Sequence, residues 1–216
     1  MLRMLEPEVM DTLEEAEAYD SMDHSEPNEA FVGRLTELCA GGRMLDIGTG
    51  PGDIPILICN RLPNAVVCGL DRAWHMIRLA QGHLTGSPFA HRITYGLADA
   101  KRLPFASVSF DTVFSNTMLH HIPDPRPVLA EAQRVLRPDG VLLIRDLYRP
   151  CDQTQLKHLV ASYASDSTPV QRELFCDSLH AAFTPQELKT MVEQMGISRV
   201  EVVVDTDRHV SIQTVS

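Results

Sequence analysis

The chain has 216 residues, is 44% hydrophobic and carries a formal net charge of −10, which supports one domain with its own core and disfavours a surface for nucleic acid or anionic membrane, since both rest on clustered Lys and Arg. No apolar run approaches the ~20 residues of a membrane helix, and Met1-Leu2-Arg3-Met4-Leu5-Glu6-Pro7 lacks a signal-peptide core. Five cysteines with no C-x-x-C pair suit reduced thiols, so a cytoplasmic protein with no membrane span is expected.

Residues 11–20 and 27–40 read as two helices joined by Ser21-Met22-Asp23-His24-Ser25-Glu26-Pro27. The second sets Ala30, Phe31, Leu35 and Leu38 near one face and stops at Gly41-Gly42. Standing ahead of the first strand, the pair is either a packing layer or a lid, with Tyr19, Met22 and His24 in or beside it.

Met44-Leu45-Asp46-Ile47 is a short apolar strand that runs into Gly48-Thr49-Gly50-Pro51-Gly52 and a helix over 53–61, with Pro55 in its first turn. Glycines at alternate positions allow positive φ and leave no Cβ between the bend and its neighbour. Strand, bend and helix in this order form a site for a nucleotide-like ligand at the carboxyl edge of a parallel sheet. The dinucleotide fingerprint G-x-G-x-x-G needs glycine where this chain has Asp53, and the G-x-x-x-x-G-K-[ST] phosphate loop is absent.

Ala65–Leu70 is a continuous apolar run, as in a strand buried on both faces. It ends at Asp71, about 20 residues past the glycines, where a carboxylate accepts both hydroxyls of a ribose; the other role open to Asp71 is to cap the helix 73–84, whose apolar face holds Met76, Ile77 and Ala80. Trp74 either shields a base or packs on the helix. Residues 92–96 form a third strand, followed by Asp99, a candidate acceptor for an exocyclic amine.

Ser109–Ser115 reads as a fourth strand that breaks at Asn116-Thr117-Met118-Leu119-His120-His121. Asp124 and Pro125 supply a cap and first helical position, and the helix to Leu136 buries Val128, Leu129, Ala132, Val135 and Leu136. Arg137-Pro138-Asp139-Gly140 ends it; Val141–Ile144 is a fifth strand, closed by Arg145-Asp146. Helices near 153–164 and 169–182 follow, as an acceptor-site cover or a structural buttress. Capping boxes at Thr168 and Thr184 start the second of these and the helix 185–195, and Arg199–Val204 with His209–Val215 form a hairpin.

The order Asp46-x-Gly48-x-Gly50-x-Gly52, Asp71, Asp99-Ala100, Phe110-Asp111, Leu119-His120-His121 and Leu136-Arg137-Pro138-Asp139-Gly140 resembles class I S-adenosylmethionine (SAM) methyltransferases, in particular the small-molecule enzymes of the ubiquinone/menaquinone-biosynthesis type. The resemblance covers roughly residues 43–147. It implies an α/β, Rossmann-like, seven-stranded mostly parallel sheet of order 3-2-1-4-5-7-6, with the last strand antiparallel and helices on both faces. A single domain over 1–216 would then comprise a helical lid (1–42), a cofactor-binding core (43–147), a helical insertion (148–183) and a C-terminal helix and hairpin (184–216).

By the same resemblance Asp46, Gly48, Thr49, Gly50 and Gly52 line the methionine side of SAM, whose carboxylate is received by loop and helix-end N–H groups. Asp71 attends the ribose, Asp99 and Ala100 the adenine, Met76 packs on the adenine, Asn116 lies beneath the sulfonium, and Arg72 and, from the lid, Tyr19 also contact the cofactor. Methyl transfer to a small-molecule acceptor is an in-line displacement that needs a base only for a protic acceptor. The candidates are His120, His121 and Asp146, with Tyr148 and His24 nearby. Adjacent histidines are expected to point in different directions, one toward the ligand. No metal is expected, since there is no H-E-x-x-H and the cysteines are scattered. The rival readings are a SAM- or nucleoside-binding module without catalysis and an NAD-dependent oxidoreductase, the latter opposed by Asp53. The atom methylated and the oligomeric state stay open.

Overall fold

A computed structural model describes residues 1–9, 11–165 and 167–215. Seven strands, β1 (Arg43–Ile47), β2 (Val66–Asp71), β3 (Ile93–Leu97), β4 (Phe110–Asn116), β5 (Leu136–Leu147), β6 (Val200–Val204) and β7 (His209–Thr214), form one sheet of order β3-β2-β1-β4-β5-β7-β6. β1 to β5 are mutually parallel, and β7 runs antiparallel to both β5 and β6. The order turns back between β1 and β4, which opens a crevice above their carboxyl ends, the usual place for a ligand in such sheets.

Eight α-helices, α1 (Leu13–Asp20), α2 (Ser25–Glu37), α3 (Asp53–Arg61), α4 (Trp74–Leu84), α5 (Arg126–Val135), α6 (Gln153–Tyr163), α7 (Pro169–Ala181) and α8 (Pro185–Met195), lie among the described residues. Successive strand residues point to opposite faces and so feed two cores. Leu45, Val113, Leu142 and Ile144 pack with Leu129 of α5 and Val192 of α8. Met44, Phe114 and Leu143 pack with Phe31 and Leu35 of α2 and Ile58 of α3. Each core residue is nearly or wholly buried, which is why these strands read as unbroken apolar runs.

Three local expectations are corrected. α2 begins at Ser25 and buries Phe31, Val32 and Leu35, whereas Ala30 is exposed. Pro125 occupies the N-cap of α5 rather than its first turn, and Asp124 accepts from the Arg126 N–H at 3.2 Å. Arg137–Gly140 do not terminate the helix in a loop: they are drawn into β5, where Leu136 pairs with Phe110 and the register shifts before Thr112 meets Val141. Gly140 permits this, because a Cβ there would lie 2.7 Å from the Asp111 carbonyl. Trp74 stands 48% exposed on α4 and lines no part of the crevice.

The capping boxes at Thr168/Gln171 and Thr184/Glu187 form as expected. α6 and α7 build a small core of their own from Leu156, Leu159, Leu179 and Ala182 against Leu147, and the crevice is not lined by residues 150–183. The first nine residues are not helical but run as a strap over the end of the sheet. Met4 N–H donates to His180 (3.1 Å), and the Arg3 guanidinium donates to the carbonyls of Ala181, His120, Ile122 and Pro123 while lying 3.7 Å over the Phe183 ring.

Candidate functional site

The three glycines of the bend have φ of +76° (Gly48), +54° (Gly50) and +84° (Gly52), and each is required for a different reason. A Cβ at Gly48 would meet Met118 Cγ at 2.5 Å, and one at Gly52 would meet the Tyr95 hydroxyl at 2.5 Å and Ala80 at 2.9 Å. At Gly50 a Cβ would meet nothing within 4 Å, because that face opens into the crevice. Gly52 is thus corrected: it is buried under Tyr95 and does not line the crevice, whereas Gly48, Thr49 and Gly50 do.

The bend also commits its own donors. Gly48 and Thr49 N–H donate to Leu70 (2.8 and 2.9 Å), Gly52 N–H to Thr49 (3.1 Å), and Gly50 N–H to Asp71 Oδ2 (2.9 Å). The loop N–H groups expected to receive a ligand carboxylate are thus already taken at Gly48, Thr49, Gly50 and Gly52, and the start of α3 lines the crevice with Asp53 and Ile54.

Asp46 does not reach the crevice. It is 1% exposed, and its Oδ2 accepts the Thr49 hydroxyl at 2.7 Å. Burial pushes its carboxyl up to about 7, since desolvation penalises the charged form. Asp71 ties the bend to the start of α4: Oδ2 accepts from Gly50 N–H and Oδ1 from the N–H of Ala73 (2.9 Å), which is itself the N-cap of α4 in place of Asp71, and Asp71 lines the crevice. Burial raises its carboxyl, and the backbone N–H groups work against that rise. Each oxygen holds two lone pairs, so capacity for a diol persists.

Arg72, Asp99 and Ala100 line the crevice from the ends of β2 and β3, and Met76 lines it from α4. Tyr19 lines it from α1 and His24 from the N-cap of α2, their rings stacked at 4.7 Å. Burial pushes the Tyr19 hydroxyl up to about 12 and lowers the His24 imidazole. Asn116 lines the crevice at the end of β4 and accepts from Arg145 Nε at 3.1 Å. Arg145 is itself buried, lowered to about 10 by desolvation, and also donates to the Pro27 carbonyl at 2.7 Å.

A 3-10 turn, Leu119–His121, carries the two histidines. The expectation that they diverge is wrong: their ring centroids lie 4.1 Å apart, and both approach one carboxylate oxygen, Glu6 Oε1, which is 3.2 Å from His120 Nε2 and 3.0 Å from His121 Nδ1. Both contacts are at ion-pair distance, yet Glu6 Oε1 and His121 Nδ1 make no aligned hydrogen bond. His121 lines the crevice, but His120 and Asp146 do not. Asp146 instead accepts from the His120 backbone N–H (2.8 Å) and sits 2.6 Å from His120 Nδ1. Burial alone would lower His120, but Asp146 and Glu6 outweigh it and hold the imidazole up to about 9. Burial would likewise raise Glu6, yet the two histidines bring it down to about 2.

The strap was missed at the sequence level. Glu6 meets the histidines, and Glu8 lines the crevice while pairing with Arg72 (3.0 Å) and Lys101. Neither acid lies in a periodic segment, so no sequence signal marked it.

A protein-family profile described as "Methyltransferase domain" matches residues 38–196. The chain is 31% identical over 181 residues to the ubiquinone/menaquinone biosynthesis C-methyltransferase UbiE of Geotalea uraniireducens, covering 79% of this chain and 77% of that one. Its match to the enzyme of the same name from Geobacter sulfurreducens is 30% identical and covers 72% and 64%; that to the 27-O-demethylrifamycin SV methyltransferase of Amycolatopsis mediterranei is 34% identical and covers 57% and 48%. The chain thus spans less than two thirds of the Geobacter enzyme and about half of the Amycolatopsis one. Among solved structures, a SAM-dependent methyltransferase from Aquifex aeolicus superposes with a TM-score of 0.69 at 19% identity, over 94% of this chain and 97% of that one. Phosphoethanolamine N-methyltransferase 2 of Haemonchus contortus, in complex with S-adenosyl-L-methionine, gives 0.70 at 24% identity, over 90% and 44%. The sheet order, the glycine bend and these relatives together establish that the chain belongs to the class I S-adenosylmethionine-dependent methyltransferases.

Proposed function

We propose that the chain transfers the methyl group of SAM to a small-molecule acceptor by in-line displacement, with His121 as the base when the acceptor is protic. One observation carries this reading: a single crevice at the point where strand order turns back is lined both by Asp71 and Asp99 and by His121. SAM, when bound, supplies an electrophilic methyl on a sulfonium, and its leaving group departs neutral. The open face of Gly50 is a cradle for it, Asp71 is placed to take the ribose hydroxyls and Asp99 the adenine amine, while Met76 offers an apolar surface.

On the acceptor side, His121 takes the proton that a hydroxyl or enol loses as it attacks. His120 is a positioning residue, held by Asp146 with its ring tilted against that of His121. The lid excludes water through Tyr19 and His24, which favours a close, aligned nucleophile. Relatives named for carbon and oxygen methylation make enolisable and phenolic acceptors the first choices. The test is calorimetric titration with SAM, then detection of S-adenosylhomocysteine release over a panel of phenols, reduced quinones and enolisable ketones. His121→Ala should lower kcat with SAM affinity kept. A chain that binds no SAM would defeat the proposal, and one that binds SAM but turns over no acceptor would be a binding module.

A further inference from the structure

The atoms of Glu6, His120 and His121 that face one another point to a use beyond proton transfer. We propose that the chain binds one first-row divalent cation of the zinc type between Glu6 Oε1, His120 Nε2 and His121 Nδ1. These three donor atoms lie within 4.8 Å of one another. The oxygen stands 3.2 and 3.0 Å from the two nitrogens, close to the ~3.3 Å edge that bonds of about 2.0–2.1 Å impose on a tetrahedral zinc site.

Two further features separate this cluster from an ordinary ion pair. Glu6 Oε1 and His121 Nδ1 are buried without any aligned hydrogen bond, whereas a proton shared between carboxylate and imidazole would bring N–H and oxygen into line. In addition, Asp146 Oδ1 lies 2.6 Å from His120 Nδ1. A carboxylate on the remote nitrogen of an imidazole fixes the tautomer and aims the other nitrogen's lone pair at a metal. Two imidazoles and one carboxylate suit zinc, iron(II) or cobalt(II) over magnesium, which prefers oxygen donors and keeps its waters.

Three protein donors leave a coordination position free, and because His121 lines the crevice that position faces the acceptor side. A hydroxyl or enol oxygen there would bind the ion and give up its proton to solvent more readily; with the ion on Nδ1 His121 serves as a ligand and the ion takes the place of the imidazole base, which bears on the acceptor class and rests on the methyl-transfer reading, whereas the binding of the ion does not. Since Glu6 belongs to the strap, the ion would also pin the strap to the 3-10 turn.

The test is titration of the tag-free full chain with Zn2+ by calorimetry and with Co2+ by visible absorption. One equivalent should bind, with the intense bands of a four- or five-coordinate cobalt site, and Mg2+ should not compete. Glu6→Gln and His121→Ala should each weaken Zn2+ by 100-fold or more, and Asp146→Asn by about 10–100-fold. His91→Ala, at an exposed position, should change nothing. Thermal melts and SAM titration establish that each variant is folded. Absence of stoichiometric binding, or its survival in folded Glu6→Gln and His121→Ala, would overturn the proposal. SAM binding in the metal-free chain tests the methyltransferase reading separately.

Discussion

Asp46→Asn isolates the cost of a buried charge beneath the glycine bend. The carboxyl is 1% exposed and held up to about 7 by burial, against an ordinary value of 3.8. An unfolded chain releases this proton near pH 4, while the folded chain keeps it until about pH 7. Between those values the native state binds more protons, so stability from this group is fully present below pH 4 and is lost as pH rises toward 7. At 1.36 kcal/mol per unit, the loss is on the order of 4 kcal/mol. Asparagine keeps an oxygen to accept the Thr49 hydroxyl, now at 2.7 Å, and never ionises. Its amide N–H groups add a constant offset, so the informative quantity is the change in the difference between variant and parent. Urea unfolding of both proteins at pH 4, 5, 6, 7 and 8 should show that difference moving in favour of Asp46→Asn by about 4 kcal/mol across the range. A difference that stays flat with pH would refute the reasoning, because the carboxylate would then be compensated in the folded state.

Asp71→Ala removes the acceptor for Gly50 and Ala73 as well as the proposed ribose contact; SAM affinity measured by calorimetry should fall roughly 10- to 150-fold, the worth of charge-assisted hydrogen bonds of ~1.5–3 kcal/mol. The two alanine replacements in the bend should separate stability from binding. Gly48→Ala, at φ +76° and against Met118, should lower unfolding free energy by more than the ~1–2 kcal/mol of left-handed strain, whereas Gly50→Ala, in open space, should cost only that strain and chiefly weaken SAM. Arg3→Ala deletes the donor to four carbonyls; limited proteolysis should then cut ahead of Thr12 several-fold faster while the rest of the chain stays protected, and unchanged cleavage would mean the strap is held by its other contacts.

The glycine-bend half of the crevice was legible because its determinants are local. Gly48, Gly50 and Gly52 announce a bend, and the apolar run into Asp71 announces the neighbouring strand, at spacings set by one strand–helix–strand unit. What faces each glycine is a tertiary matter: Tyr95, which seals Gly52, arrives from β3, 43 residues away. The histidines were legible as residues but not as a pair, since their convergence depends on a 3-10 turn and on an acid more than a hundred positions earlier. Residues 1–9 carry neither periodicity nor turn chemistry. Their placement comes from Arg3 finding carbonyl groups on the turn and on the end of α7, which no local pattern foretells. The entry of Arg137–Gly140 into β5 is likewise a register effect, dictated by the partner strand.

Glu8 ties the loop after β2 to the loop after β3 by pairing at once with Arg72 and Lys101. All three side chains are partly exposed, so the latch they make is soft and subject to screening by dissolved ions. Added salt should therefore loosen this edge of the crevice, where Glu8 and Arg72 both stand, and becomes the natural handle for trapping or flushing whatever the crevice holds.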